Sequence, residues 1–203
     1  MKAIVMILAF ALAACLNGSG RVETRSFPLA DFDSVETDMF VQLDVTRSDA
    51  YAVSVTADDN VWSHVQVTKT DRKLKIELRQ DTFYTNVTMQ ARVSMPALVA
   101  LHVSGGSRAR LTGFDVRQPS LDIDASGDSK VTGAIHVDTL AIDASGSSGV
   151  VLFGEATTAN VHGSGASDLD LSDLQMEYLD YDLSGASHIH YAGSPKIGRA
   201  HAD

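Results

Sequence analysis

The sequence is short of almost everything that staples or wraps a small protein. Its 203 residues include one cysteine, four prolines and one tryptophan, and aromatic residues make up only 6%. A single cysteine excludes an intramolecular disulfide and any metal site built on paired thiolates. No G-x-x-x-x-G-K, H-E-x-x-H or C-x-x-C occurs, so no cofactor is implied by motif. Basic residues are scarce as well, 16 against 26 acidic, for a net charge of −10. So acidic a surface repels phosphate backbones, which excludes nucleic acid as a partner. It suits cations or basic groups, and solubility alone explains it equally well.

Long apolar runs are missing too, with one exception. Lys2 precedes AIVMILAFALAA, which is too short to span a bilayer comfortably and has the length of a signal-peptide core. The run ends in Leu12-Ala13-Ala14 and meets the lone Cys15. Small residues before a cysteine at that place resemble a bacterial lipobox. The expectation is a lipoprotein signal over 1–14, an acylated Cys15, a short linker over 15–20, a main domain over 21–195 and a loose tail over 196–203. An ordinary secretory signal is the alternative, but it leaves an unpaired thiol in a secreted chain. Acyl chains add about 0.8 kcal/mol per buried methylene, so several on one residue hold firmly to a membrane. Leu16 in place of Asp after the cysteine favours the outer membrane by analogy with enteric sorting. Loss of Lys2 leaves 15 basic residues against 26 acidic, a net of −11.

What the chain does have is a repeat. Ser-Gly pairs stand at Ser104-Gly105, Ser126-Gly127, Ser145-Gly146, Ser164-Gly165 and Ser184-Gly185, spaced 22, 19, 19 and 20 residues apart. Aligned on them, apolar columns run through Val99, Leu121, Leu140, Ala159 and Leu179, and through Leu101, Ile123, Ile142, Val161 and Tyr181. A third follows the corner: Ala109, Val131, Val150, Leu169, Ile189. Alternation on both sides of each corner predicts strand, corner, strand, with one face of each strand buried. A unit of about 20 residues cannot bury that face alone, whereas stacked copies can. The leucine-rich pattern LxxLxLxxN is absent. The expected fold is therefore all-β, a single-stranded right-handed parallel β-helix with one coil per repeat. Glycine suits the corner because it tolerates positive φ, and the serines can bond corner backbone groups. A nucleophilic serine is the competing reading. Ten equivalent serines in two columns single out none of them.

The N-terminal half alternates less regularly, at 35–46, 51–57, 64–70, 73–80 and 87–95, with turn signals at 58–60 and 70–72. These segments are read as wider coils of the same solenoid, with a separate antiparallel cap as the alternative. NVWSHV (60–65) has the look of a single helical turn. The chain resembles the bacterial family known as "putative auto-transporter adhesin, head GIN domain". The resemblance rests on FDSVETDMFVQLDVT (32–46), ADDNV (57–61), KLKIEL (73–78), the SGxS repeats and YAGSP (191–195). It implies a lipobox-bearing envelope protein with a right-handed β-helix, and it transfers no catalytic residue.

One outward column of the repeat reads His102, Asp124, Asp143, His162, Asp182. Carboxylates and imidazoles on strands about 4.8 Å apart could hold a divalent ion. Alternatively they form a solvated acidic face that resists edge-to-edge pairing. His188, His190 and Tyr191 make a smaller polar cluster. The functional expectation is a membrane-anchored, non-catalytic binding or scaffold domain for a surface protein or glycan. A polysaccharide-acting enzyme is the alternative. It would need paired carboxylates or a basic partner in a long groove, and long loops to build that groove are missing.

Overall fold

The computed structural model describes residues 15–203; the expected signal over 1–14 lies outside the described residues. Sixteen strands run in chain order: β1 (Cys15–Asn17), β2 (Val22–Phe27), β3 (Ser34–Asp38), β4 (Gln42–Arg47), β5 (Ala52–Asp58), β6 (Val65–Thr70), β7 (Lys73–Leu78) and β8 (Phe83–Thr85). They continue with β9 (Met89–Met95), β10 (Ala100–Val103), β11 (Arg108–Ala125), β12 (Lys130–Ala144), β13 (Gly149–Gly163), β14 (Asp168–Leu183), β15 (His188–Tyr191) and β16 (Lys196–Ala202). Among the described residues a single 3₁₀ turn, Trp62–His64, interrupts them where NVWSHV suggests one. Among the described residues no helix is long and apolar enough to cross a membrane.

The chain is all-β, but the expected parallel right-handed β-helix over 21–195 is corrected by the strand pairing. Fourteen strands form one mixed sheet curled into a half-barrel, and β1 and β8 form a second sheet of two. Within the large sheet β2 pairs antiparallel with β5, β5 with β9, and β6 with β7. The physical reason is visible at β6 and β7. Only Asp71 and Arg72 connect them, and Asp71 has a φ of 53°. A two-residue connection closes an antiparallel hairpin and cannot make the long crossover that parallel strands need. The antiparallel segments lie where the sequence reading extends solenoid coils into the N-terminal half.

The repeat region pairs in parallel and in the alignment's register: Leu121 faces Leu140, Ile123 faces Ile142, and Ile142 faces Val161. Each interval between successive Ser-Gly corners is one strand of 15 to 18 residues, β11 to β14, rather than two short ones. Shifts in pairing register fall beside glycines of positive φ, between Leu111 and Phe114 at Gly113 of β11 and between Val151 and Phe153 next to Gly154 of β13. Side chains of the apolar columns enter one continuous core that also contains Phe32 and Phe114. Val99 departs from its column and is exposed; its carbonyl instead accepts the N–H of Asp122 at 2.9 Å.

The corners stack by backbone bonds. Ser147 N donates to Gly127 O, Ala166 N to Gly146 O and Ala186 N to Gly165 O, each at 2.7 Å. A Cβ on Gly165, whose φ is +77°, would lie 2.6 Å from Gly146 O. Close backbone approach therefore requires glycine there. At the C-terminal end, residues 196–202, read from sequence as a loose tail, pair in parallel with β14. At the other end Cys15–Asn17 pairs in parallel with Phe83–Thr85, within the span expected to be a linker.

Candidate functional site

The Asp/His column is brought together as an unbroken row across the sheet. Pairing places His102 opposite Asp124, Asp124 opposite Asp143, Asp143 opposite His162, and His162 opposite Asp182. The row extends beyond the repeats to Glu36 and Lys75 on one side and His201 on the other. Its N-terminal end is compensated by cations: Glu36 contacts Lys73 at 2.9 Å and Lys75 at 3.2 Å. Burial opposes ionisation of Glu36, but the two ammonium groups outweigh it and hold its pKa below the ordinary carboxylate value. Further along, His102 Nδ1 lies 3.6 Å from Asp124 Oδ2. Among the described residues, no group of three or more His, Cys, Asp or Glu side chains is placed to hold a metal ion. His188 and His190 lie on the short strand β15, where His190 Nε2 stands 3.7 Å from Asp168.

The Ser-Gly corner pairs lie half-buried or exposed, and the serine three residues further on turns inward. Ser129, Ser148 and Ser167 are buried and donate to the carbonyls of Ser126, Ser145 and Ser164. Ser187 does the same to Ser184 at 3.0 Å. Gly127, Gly146, Gly165 and Gly185 all take positive φ. Cys15 is exposed and unpaired by any disulfide.

A second face carries the opposite charge, and sequence reasoning missed it. Strands β9, β4, β11 and β12 lie side by side in parallel register. One outward row across them reads Arg92, Asp44, Arg110, Thr132, and its neighbour reads Gln90, Gln42, Arg108, Lys130. These side chains line a shallow cavity of about 560 Å³, floored by Leu43 and Ala109. Four cations thus meet one carboxylate on a chain whose net charge is −10. Among the described residues none of the four makes an ion pair, whereas Lys73 and Arg117 on other faces do. The repeat alignment held part of this signal, since Arg108 and Lys130 stand in one column four residues after Ser104 and Ser126. Arg92 and Gln42 lie outside the repeat, and only the fold brings them alongside.

Comparison with known proteins adds the lineage. A family model described as "Putative auto-transporter adhesin, head GIN domain" matches residues 31–197. No curated protein matches the chain. The structure is similar to that of a putative adhesin from Bacteroides fragilis, with a TM-score of 0.79 and 19% identity over 92% of this chain and 95% of that one. A putative adhesin from Parabacteroides merdae gives a TM-score of 0.71 and 18% identity over 87% of this chain and 75% of that one. A putative lipid binding protein from Parabacteroides distasonis gives 0.67 and 17% over 93% and 96%. At such identities the likeness shows the fold alone.

Proposed function

We propose that this chain, which belongs to the putative auto-transporter adhesin, head GIN domain family, is a non-catalytic binding module of the bacterial envelope. It is held to the membrane by acylation at Cys15, and its sheet is presented to a ligand at the cell surface. The observation that carries the binding role is the cavity of four cations, none ion-paired among the described residues, on an otherwise acidic chain. Like-charge repulsion makes such a cluster costly in the free protein, and an anionic partner removes that cost. Family membership points to the cell surface or envelope, which is where an adhesive partner would be met. The enzyme alternative draws no support from the titrating groups. Carboxylates with a displaced pKa, Glu36, Asp59 and Asp170, are all displaced downward, whereas a general acid needs displacement upward.

The test has two arms. Beads coated with the purified chain should adhere to isolated bacterial envelopes more than beads coated with an unrelated acidic protein; equal adhesion refutes the module, and released glycan fragments favour an enzyme. Separately, Cys15→Ala should move the protein from the detergent phase to the aqueous phase of a partition assay without unfolding it. Equal partition of variant and wild type would refute the lipid anchor.

A further inference from the structure

We infer that the cationic cavity on β9, β4, β11 and β12 binds an anionic glycan, a sugar chain bearing carboxylate or sulfate groups. The inference rests on the binding-module reading and names the ligand class of that site. Its first support is charge. Arg92, Arg108, Arg110 and Lys130 converge on one cavity with only Asp44 among them, and none makes an ion pair among the described residues. Arginine's planar fork matches carboxylate and sulfate oxygens in a bidentate manner, so three arginines specify direction as well as charge.

The second support is the lining between the charges. Gln42, Gln90 and Thr132 offer amides and a hydroxyl that both donate and accept, as sugar hydroxyls require. The exposed apolar side chains Phe40, Phe83, Val116 and Phe153 lie outside this lining. That disfavours an acidic peptide, because the hot spots of protein interfaces join arginine to buried tryptophan and tyrosine anchors, and no aromatic side chain lines this cavity. It also disfavours a membrane surface, since nothing here inserts into lipid and the rest of the acidic chain is repelled by anionic headgroups.

The third support is the footprint. Four adjacent strands span three spacings, about 14 Å. Beyond β12 the same rows continue through Gly149 and Val151 to Asp168 and Asp170. A polyanion is therefore attracted over β9 to β12 and repelled past β13. The face fits a short run of charged sugars rather than a long fibre lying across the whole sheet.

The full chain is titrated by calorimetry with polygalacturonate, dextran sulfate, neutral dextran, poly-glutamate and phosphatidylglycerol vesicles. Binding of either anionic glycan, weakening with added salt, supports the inference, and their relative affinities tell carboxylate from sulfate. Arg108→Gln/Arg110→Gln should weaken that binding at least tenfold while leaving circular dichroism unchanged. Asp44→Asn should strengthen it, and Lys69→Gln on the exposed β6 should leave it unaltered. No binding of either anionic glycan overturns the inference, as does undiminished binding by the double variant. Tighter binding of poly-glutamate or vesicles than of glycan overturns it as well. Should glycan binding fail while coated beads still adhere to envelopes, the ligand assignment falls and the module reading stands.

Discussion

Gly165 and Gly193 share a backbone conformation and differ in what surrounds them, with φ of +77° and +82°. Alanine at either position must adopt a left-handed backbone, at about 1–2 kcal/mol, offset in part by the smaller entropy of the unfolded chain. At Gly193 nothing lies within 4 Å of the added Cβ, so the net loss should stay near 1 kcal/mol. At Gly165 the methyl meets Gly146 O at 2.6 Å, the same oxygen that accepts Ala166 N–H at 2.7 Å. One corner must move off the next, and a strained or lost backbone bond adds about 1–3 kcal/mol. Gly165→Ala should therefore cost about 2–4 kcal/mol in total, and Gly193→Ala about 1 kcal/mol. Urea unfolding followed by circular dichroism and by fluorescence of the single, buried Trp62 measures both. Equal destabilisation by the two substitutions would show that corner stacking contributes nothing beyond the local dihedral, and the reasoning would fail.

Ile142, 1% exposed between Ile123 and Val161, should not tolerate a charge. Ile142→Asp is expected to lose several kcal/mol, and an unchanged melting temperature would place that side chain in solvent. Asp58 is fully buried and accepts Gly20 N–H at 2.8 Å and Thr88 N–H at 2.7 Å. Asp58→Ala leaves both donors without their acceptor, for an expected loss of about 2 kcal/mol or more. Asp58→Asn retains one acceptor oxygen and should lose less, and identical losses in urea titrations would contradict the assigned bonds. Glu36 has a folded pKa below its unfolded one, so its contribution to stability is present above about pH 4.3 and is lost as the pH falls through the folded value. Glu36→Gln should flatten that part of the stability–pH curve; parallel curves for variant and wild type would show that the Lys73 and Lys75 contacts do not form in solution.

The repeat was legible from sequence because its information is local and redundant. Period-2 alternation tells which side chains of a strand point the same way, and the recurring Ser-Gly corner tells which residues of successive strands lie side by side. Those two facts alone place Ile142 in the core and His102, Asp124, Asp143, His162 and Asp182 in one outward row. The direction of pairing in the N-terminal half was not legible in the same way. An alternating segment such as β5 pairs antiparallel with β2 and with β9, yet its pattern serves a parallel neighbour equally well. Connection length and tertiary competition for partners decide that direction, and they turned an expected solenoid into a mixed, curled sheet. The basic cavity came from the same source. Arg108, Arg110 and Lys130 belong to the repeat, but Arg92, Gln90 and Gln42 reach them only because β4 leaves its neighbours in sequence to lie between β9 and β11. Sequence determined which side chains face out; only the tertiary pairing decided which outward charges meet.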